Sequence, residues 1–212
     1  MQHSIVKFPT LSYIHLMSGE SLRRMAASIW EVVEVILIAF ITVYVIRSFV
    51  AQPFLVSGAS MEPNYKNNEY LLIDELTYRF RTPERGEVIV FLYPGDEKSY
   101  FIKRIIGLPG EHVTISDNHV SIEPVGSNTP MTITESYLPG STTTFGQKTV
   151  VLGSDEYFVM GDNRGNSFDS RNWGPLKKDH IKGLVRLRLF PFSRFGTMSA
   201  PSYSIVNPSY AQ

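Results

Sequence analysis

Along this chain the spacing of apolar residues changes character once, near residue 51. From Ile29 to Val50 the sequence is almost continuously apolar, with Glu31 and Glu34 ahead of an uncharged run from Val35 to Ile46 and Arg47 behind it. A hydrocarbon core of ~30 Å needs ~20 residues of helix. The Ile29–Val50 stretch supplies them when Glu31 and Arg47 reach toward the two interfaces, where Trp30 and Phe49 also fit. No small-x-small cleavage signature follows, so a retained transmembrane helix is expected over residues 26–51 rather than a removed leader. Lys7, Arg23 and Arg24 precede it. That bias predicts a cytoplasmic tail over residues 1–25, a single pass through the cell membrane, and everything beyond the helix on the extracytoplasmic side.

Past Ala51 the apolar runs become short and are broken by Gly, Pro and Asn, the pattern of strands. Strands are predicted at Tyr70–Ile73, Glu87–Tyr93, Tyr100–Ile106, His112–Ile115, His119–Ile122, Met131–Thr134, Thr149–Leu152, Tyr157–Met160 and Gly183–Leu189. Asp117-Asn118 suits a tight hairpin turn. The Ser-, Thr-, Pro- and Gly-rich stretch 123–147 is expected to form an excursion or small lobe outside the main sheet. The chain thus reads as mainly β, with a single N-terminal helix, an extracytoplasmic β domain over 52–193 and a flexible tail over 194–212.

Composition narrows the chemistry. In 212 residues, 20 Lys+Arg balance 20 Asp+Glu for a net charge of +0, which gives no electrostatic reason to bind nucleic acid. With Cys 0 there is no disulfide, no thiol nucleophile and no cysteine-ligated zinc. His3, His15, His112, His119 and His180 lack ligand spacing, and Asp162-Asn163-Arg164-Gly165-Asn166 lacks the closing glutamate of a calcium loop. No metal and no cofactor are expected.

Three stretches carry chemistry of another kind: Ser57-Gly58-Ala59-Ser60-Met61-Glu62-Pro63, Phe101-Ile102-Lys103-Arg104, and the run Gly161 to Arg171. A serine hydroxyl attacks a carbonyl when a positioned base takes its proton, and a desolvated lysine can be that base. Lys103 sits in an apolar strand, with Phe101 on its own face and Ile102 and Arg104 on the other. Lowering its pKa from ~10.4 to ~7.5 corresponds to about 4 kcal/mol, which burial can supply.

Together with Arg85-Gly86-Glu87-Val88, these stretches resemble, in order and spacing from Ser48 to Arg186, the boxes of the bacterial type I signal peptidases, S/D-G-x-S-M-x-P, Y-x-K-R-x-x-G-x-P-G-E and G-D-N-R-x-x-S-x-D-S-R. The resemblance implies a signal-peptidase-like β-barrel or β-ribbon catalytic domain on a membrane anchor. It implies a Ser/Lys dyad of Ser60 as nucleophile and Lys103 as general base, working through an acyl-enzyme. Ser167 matches the serine that orients the lysine, and Asp169 and Arg171 match a structural ion pair with Arg104 nearby. Phe54, Val56 and Ile102 match the walls of the substrate pockets. The implied partners are secretory preproteins, cut after Ala-x-Ala-type sites, and the lipid bilayer.

Two positions depart from the boxes. Gly58 stands where some members carry a serine whose hydroxyl completes the oxyanion hole, which leaves the Ser60 N–H with another backbone or nearby hydroxyl donor, Ser57 among the candidates. Phe101 replaces the tyrosine of the lysine box. The rival reading is a non-catalytic, membrane-tethered β domain that binds extended peptides. A self-cleaving repressor would share the Ser-Met pair and the lysine, but it would carry a DNA-binding motif and no anchor.

Overall fold

The computed structural model describes residues 19–49, 51–127, 129–201 and 203–206. The expected tail over residues 1–18, with Lys7, His3 and His15, lies outside the described residues, as do the side chains of Arg47 and Phe49 and the segment 207–212. The chain divides into a helical unit ending at Val45 and a β unit beginning at Ile46.

Helix α1 runs from Gly19 to Phe49. Its apolar stretch Leu22–Tyr44 has 23 residues with a mean hydropathy of 2.1, and none of the stretch is buried against protein. At 1.5 Å per residue that is about 34 Å, enough to cross a bilayer. Many of its residues are Val and Ile, which favour strands in water. In lipid, however, backbone groups must be satisfied within the segment, and a helix does this for any side chain. Thr42 obeys the same rule by donating its hydroxyl to the Ile38 carbonyl at 2.8 Å.

The β unit contains two antiparallel sheets. The larger has the order β1 (Ala51–Leu55), β2 (Tyr70–Asp74), β11 (Ile181–Phe190), β3 (Val88–Tyr93), β4 (Asp96–Gly107), β9 (Glu156–Met160), β10 (Leu176–Lys177), with β12 (Gly196–Thr197) added on β11. The smaller has the order β13 (Ser204–Val206), β7 (Met131–Thr134), β6 (His119–Glu123), β5 (His112–Ser116), β8 (Lys148–Val151). Every strand predicted from the sequence is present, with ends shifted by a few residues. The β5–β6 turn is the expected one: Asp117 and Asn118 both take positive φ, 49° and 65°, the geometry of a two-residue hairpin.

Strand β3 explains its unbroken apolar sequence by being covered on both faces. Val88 and Val90 pack with Val56, Met61, Tyr65 and Leu71, whereas Ile89 and Phe91 pack with Ile105, Tyr157 and Val159. A third cluster, built on Ile106, Ile122, Ile133, Phe158 and Met160, fills the space under the smaller sheet.

Two boundaries differ from the sequence reading. Ala51 belongs to β1, where it pairs with Asp74, and not to the helix. Pro53 hides this strand from a pattern search, yet proline is tolerated because β1 is an edge. Residues 123–147 lie outside the larger sheet, and β7 within them is hydrogen-bonded between β6 and β13 of the smaller one. The segment expected to be a loose tail from 194 is paired through Val206: β12 bonds to β11 and β13 to β7. Tyr203 packs there against the α-carbon of Gly86, whose φ of 86° and lack of a side chain make room for the ring.

Candidate active site

Ser60 lies in a tight turn closed by the Glu62 N–H on the Ala59 carbonyl at 3.2 Å. Its C-terminal side is anchored in the core. Met61 is 1% exposed in the cluster with Val56 and Leu71, and the Tyr65 N–H returns to the Met61 carbonyl at 2.9 Å. From the other side, Asn163 donates its N–H to the Ser60 carbonyl and its amide to the Ala59 carbonyl, each at 3.0 Å. The nucleophile loop therefore has little freedom to move.

Strand β4 brings Lys103 to it. The amine, on a residue 4% exposed, donates to Ser60 Oγ at 2.8 Å and to the Ile102 carbonyl at 2.9 Å. Burial lowers its pKa from 10.5 to about 8, against the Asp169 and Asp162 carboxylates, which favour the charged form. Ser167 packs against the α-carbon of Gly161, and its buried Oγ makes no hydrogen bond to the amine. The hydrogen bonds of the amine go to Ser60 Oγ and the Ile102 carbonyl.

The support beneath the dyad is ionic. Asp169 caps the short helix α2 (Ser170–Trp173), binds the Arg171 guanidinium at 2.8 and 2.9 Å, and accepts the Gly161 N–H at 3.0 Å. Burial pushes the Asp169 carboxyl up, but the Arg171 guanidinium and the Gly161 N–H among its partners together hold the group below the usual carboxylate range. Arg104 is nearby, as expected, yet its partner is Asp162. The two form a bidentate pair at 2.8 and 2.6 Å, with Arg104 also bound to the Gly86 carbonyl and stacked 4.1 Å from the Tyr137 ring centroid.

Asp162, Asn163 and Arg164 were not legible as site residues from spacing, which suggests a solvated turn. Asp162 and Arg164 are instead 1% and 2% exposed. Arg164 binds Glu135, Thr144 Oγ1 and the Gly161 carbonyl. Nothing in the local sequence marks Glu135 for this role, because its partner is distant in the chain. Replacing Arg104 by methionine leaves the Asp162 charge buried and unpaired. A loss of 3–5 kcal/mol is expected in denaturant unfolding monitored in detergent, with partial recovery in the Arg104→Met, Asp162→Leu double variant.

A cavity of about 550 Å³ opens beside the dyad. Phe54, Val56 and Ile102, expected as pocket walls, all line it, together with Ser57, Ser60, Lys103, Tyr100 and Phe168. The Gly58 N–H is already engaged by Asn67 Oδ1 at 2.9 Å. His112, His119 and His180 are at strand ends and loops, beside Glu123, the Asp117 carbonyl and Asp179, and do not line this cavity.

Residues 29–190 match the family model described as signal peptidase, peptidase S26. The chain belongs to the type I signal peptidases. It is 37% identical over 159 residues to a probable signal peptidase I-2 of Synechocystis, covering 73% of this chain and 70% of that one. A signal peptidase I P of Bacillus subtilis subsp. natto is 33% identical, covering 81% of this chain and 95% of its own. A crystal structure of a signal peptidase I from Enterococcus faecalis is 28% identical and covers 50% of this chain and 97% of its own, at a TM-score of 0.41. This signal peptidase is accordingly an enzyme that cleaves signal peptides, built mainly of β sheet behind an apolar N-terminal helix.

Proposed function

We propose that this signal peptidase works by a Ser60/Lys103 dyad, cutting preproteins after Ala-x-Ala-type sites on the extracytoplasmic side of the cell membrane, with its N-terminus in the cytoplasm. The observation that carries the mechanism is the 2.8 Å bond between a buried amine and Ser60 Oγ. Neutral Lys103 takes the Ser60 proton as Oγ adds to the scissile carbonyl. The resulting ammonium returns that proton to the departing amine of the mature chain, leaving the signal peptide as an ester on Ser60. Water, deprotonated by the same amine, then hydrolyses the ester. Negative charge on the carbonyl oxygen would be met by the Ser60 N–H and a second donor, for which Ser57 is the hydroxyl on the same loop that also lines the cavity.

Phe54, Val56 and Ile102 give the cavity apolar walls that suit small side chains, the basis for the Ala-x-Ala preference. Since the neutral amine is the active form, kcat/KM on a preprotein is expected to rise with pH and level off above an apparent pKa of about 8. Ser60→Ala should abolish cleavage. A profile already level at pH 6, or cleavage persisting in purified Ser60→Ala, would remove the dyad assignment.

A further inference from the structure

A second cavity, of about 530 Å³, is lined by residues that follow the nucleophile in the same loop. The same two segments build both. Residues 54–60 line the first cavity and Glu62 and Pro63 the second; Asn166 and Phe168 line the first and Asp162–Gly165 the second. Ser60, which lines the first cavity, accepts through its carbonyl the N–H of Asn163, which lines the second. An extended peptide held with its small residues in the first cavity and its scissile carbonyl at Ser60 must continue away from that cavity. We infer that the second cavity receives the first residues of the mature chain, and that Glu62 selects basic side chains there. This rests on the dyad reading above only for the direction in which the peptide runs.

Most of the charge around this cavity is already neutralised. Asp162 is paired with Arg104, and Arg164 with Glu135, so the buried charges in the cavity floor are satisfied. The carboxylate of Glu62, half-buried at the wall, has no hydrogen bond or ion pair among the described residues. Phe145, 64% exposed, and Pro63 add apolar surface that the stem of a lysine or arginine can cover. A cation beside an unpaired carboxylate gains attraction, and an acidic residue in the same place meets repulsion.

The test uses the full-length protein in detergent and three reporter preproteins that share one signal peptide and carry Lys, Ala or Glu at the second mature position. The readout is the Lys-to-Glu ratio of kcat/KM within each enzyme, from which any general loss of activity cancels. A ratio of roughly fivefold to tenfold is expected for the parent enzyme at low salt, shrinking as salt is added. Glu62→Gln should bring it to about one and Glu62→Lys should invert it. A ratio of one in the parent, or one that survives both substitutions, overturns the inference. Cleavage of the Ala reporter by the parent and its loss in Ser60→Ala report on the dyad separately.

Discussion

Replacing Lys103 by methionine is expected to silence cleavage and, at neutral pH, to make the folded protein more stable. The activity loss comes from removing the only amine bonded to Ser60 Oγ among the described residues. A positioned general base contributes about 10²–10⁴-fold, so cleavage should fall by at least that range. The gain in stability comes from the same burial that makes the lysine a base. Its pKa falls from 10.5 to about 8 on folding, so between those values the unfolded chain holds more protons than the folded one, and stability rises with pH across that window. Below pH 8 the full cost of burying the ammonium is present. The shift corresponds to about 3 kcal/mol, which methionine, similar in length and uncharged, should recover at pH 7. Above pH 10.5 both lysine states are neutral and the two proteins should differ little. Denaturant melts of parent and variant at pH 7 and pH 10.5 check this. Equal stabilities at pH 7 would mean that the folded state does not carry the burial cost.

The sequence exposes this pair because its chemistry is local. Ser60 sits among small residues before Pro63, and Lys103 interrupts an apolar strand, so each stands out from its neighbours. Phe54, Val56 and Ile102 are expected as pocket walls only through the family resemblance, and all three line one cavity. Long-range pairing hides the rest. The strands Gly196–Thr197 and Ser204–Val206 are too short to show a period, and they exist because β11 and β7 offer partners. Asp162 and Arg164 look like turn residues because charge and Gly nearby suggest solvent. They are buried because Arg104 and Glu135, from β4 and the segment after β7, arrive to neutralise them. The register that delivers those partners has no signature in either short segment. Ser167 shows the opposite case: its place in the box points to the lysine, whereas its hydroxyl makes no hydrogen bond to that amine.

Gly161→Ala is expected to lower activity about 10²-fold. A Cβ at this position would collide with the Ser60 carbonyl oxygen and with Ser167 Oγ, inside the 3.0 Å limit that Cβ atoms essentially never cross. Gly161 cannot back away. Its N–H is held by Asp169 Oδ2 at 3.0 Å and its carbonyl by Arg164 Nε at 3.1 Å, and both partners are buried ions. Ser60 must move instead, breaking the 3.0 Å bond from the Asn163 N–H and lengthening the 2.8 Å contact between Oγ and Lys103. A displacement near 1 Å of a reacting group costs about 10²-fold, and the loss should fall on kcat more than on KM because the Phe54, Val56 and Ile102 walls are untouched. Overpacking should also destabilise the fold by about 1–3 kcal/mol. Alanine at Gly196, where a Cβ would meet nothing within 4 Å, provides the contrast and should change neither quantity appreciably. Should Gly161→Ala keep the parent kcat while losing stability, the nucleophile loop would have absorbed the methyl group without moving Oγ, and the clamp formed by Asp169, Arg164 and Asn163 would not be what sets the position of Ser60.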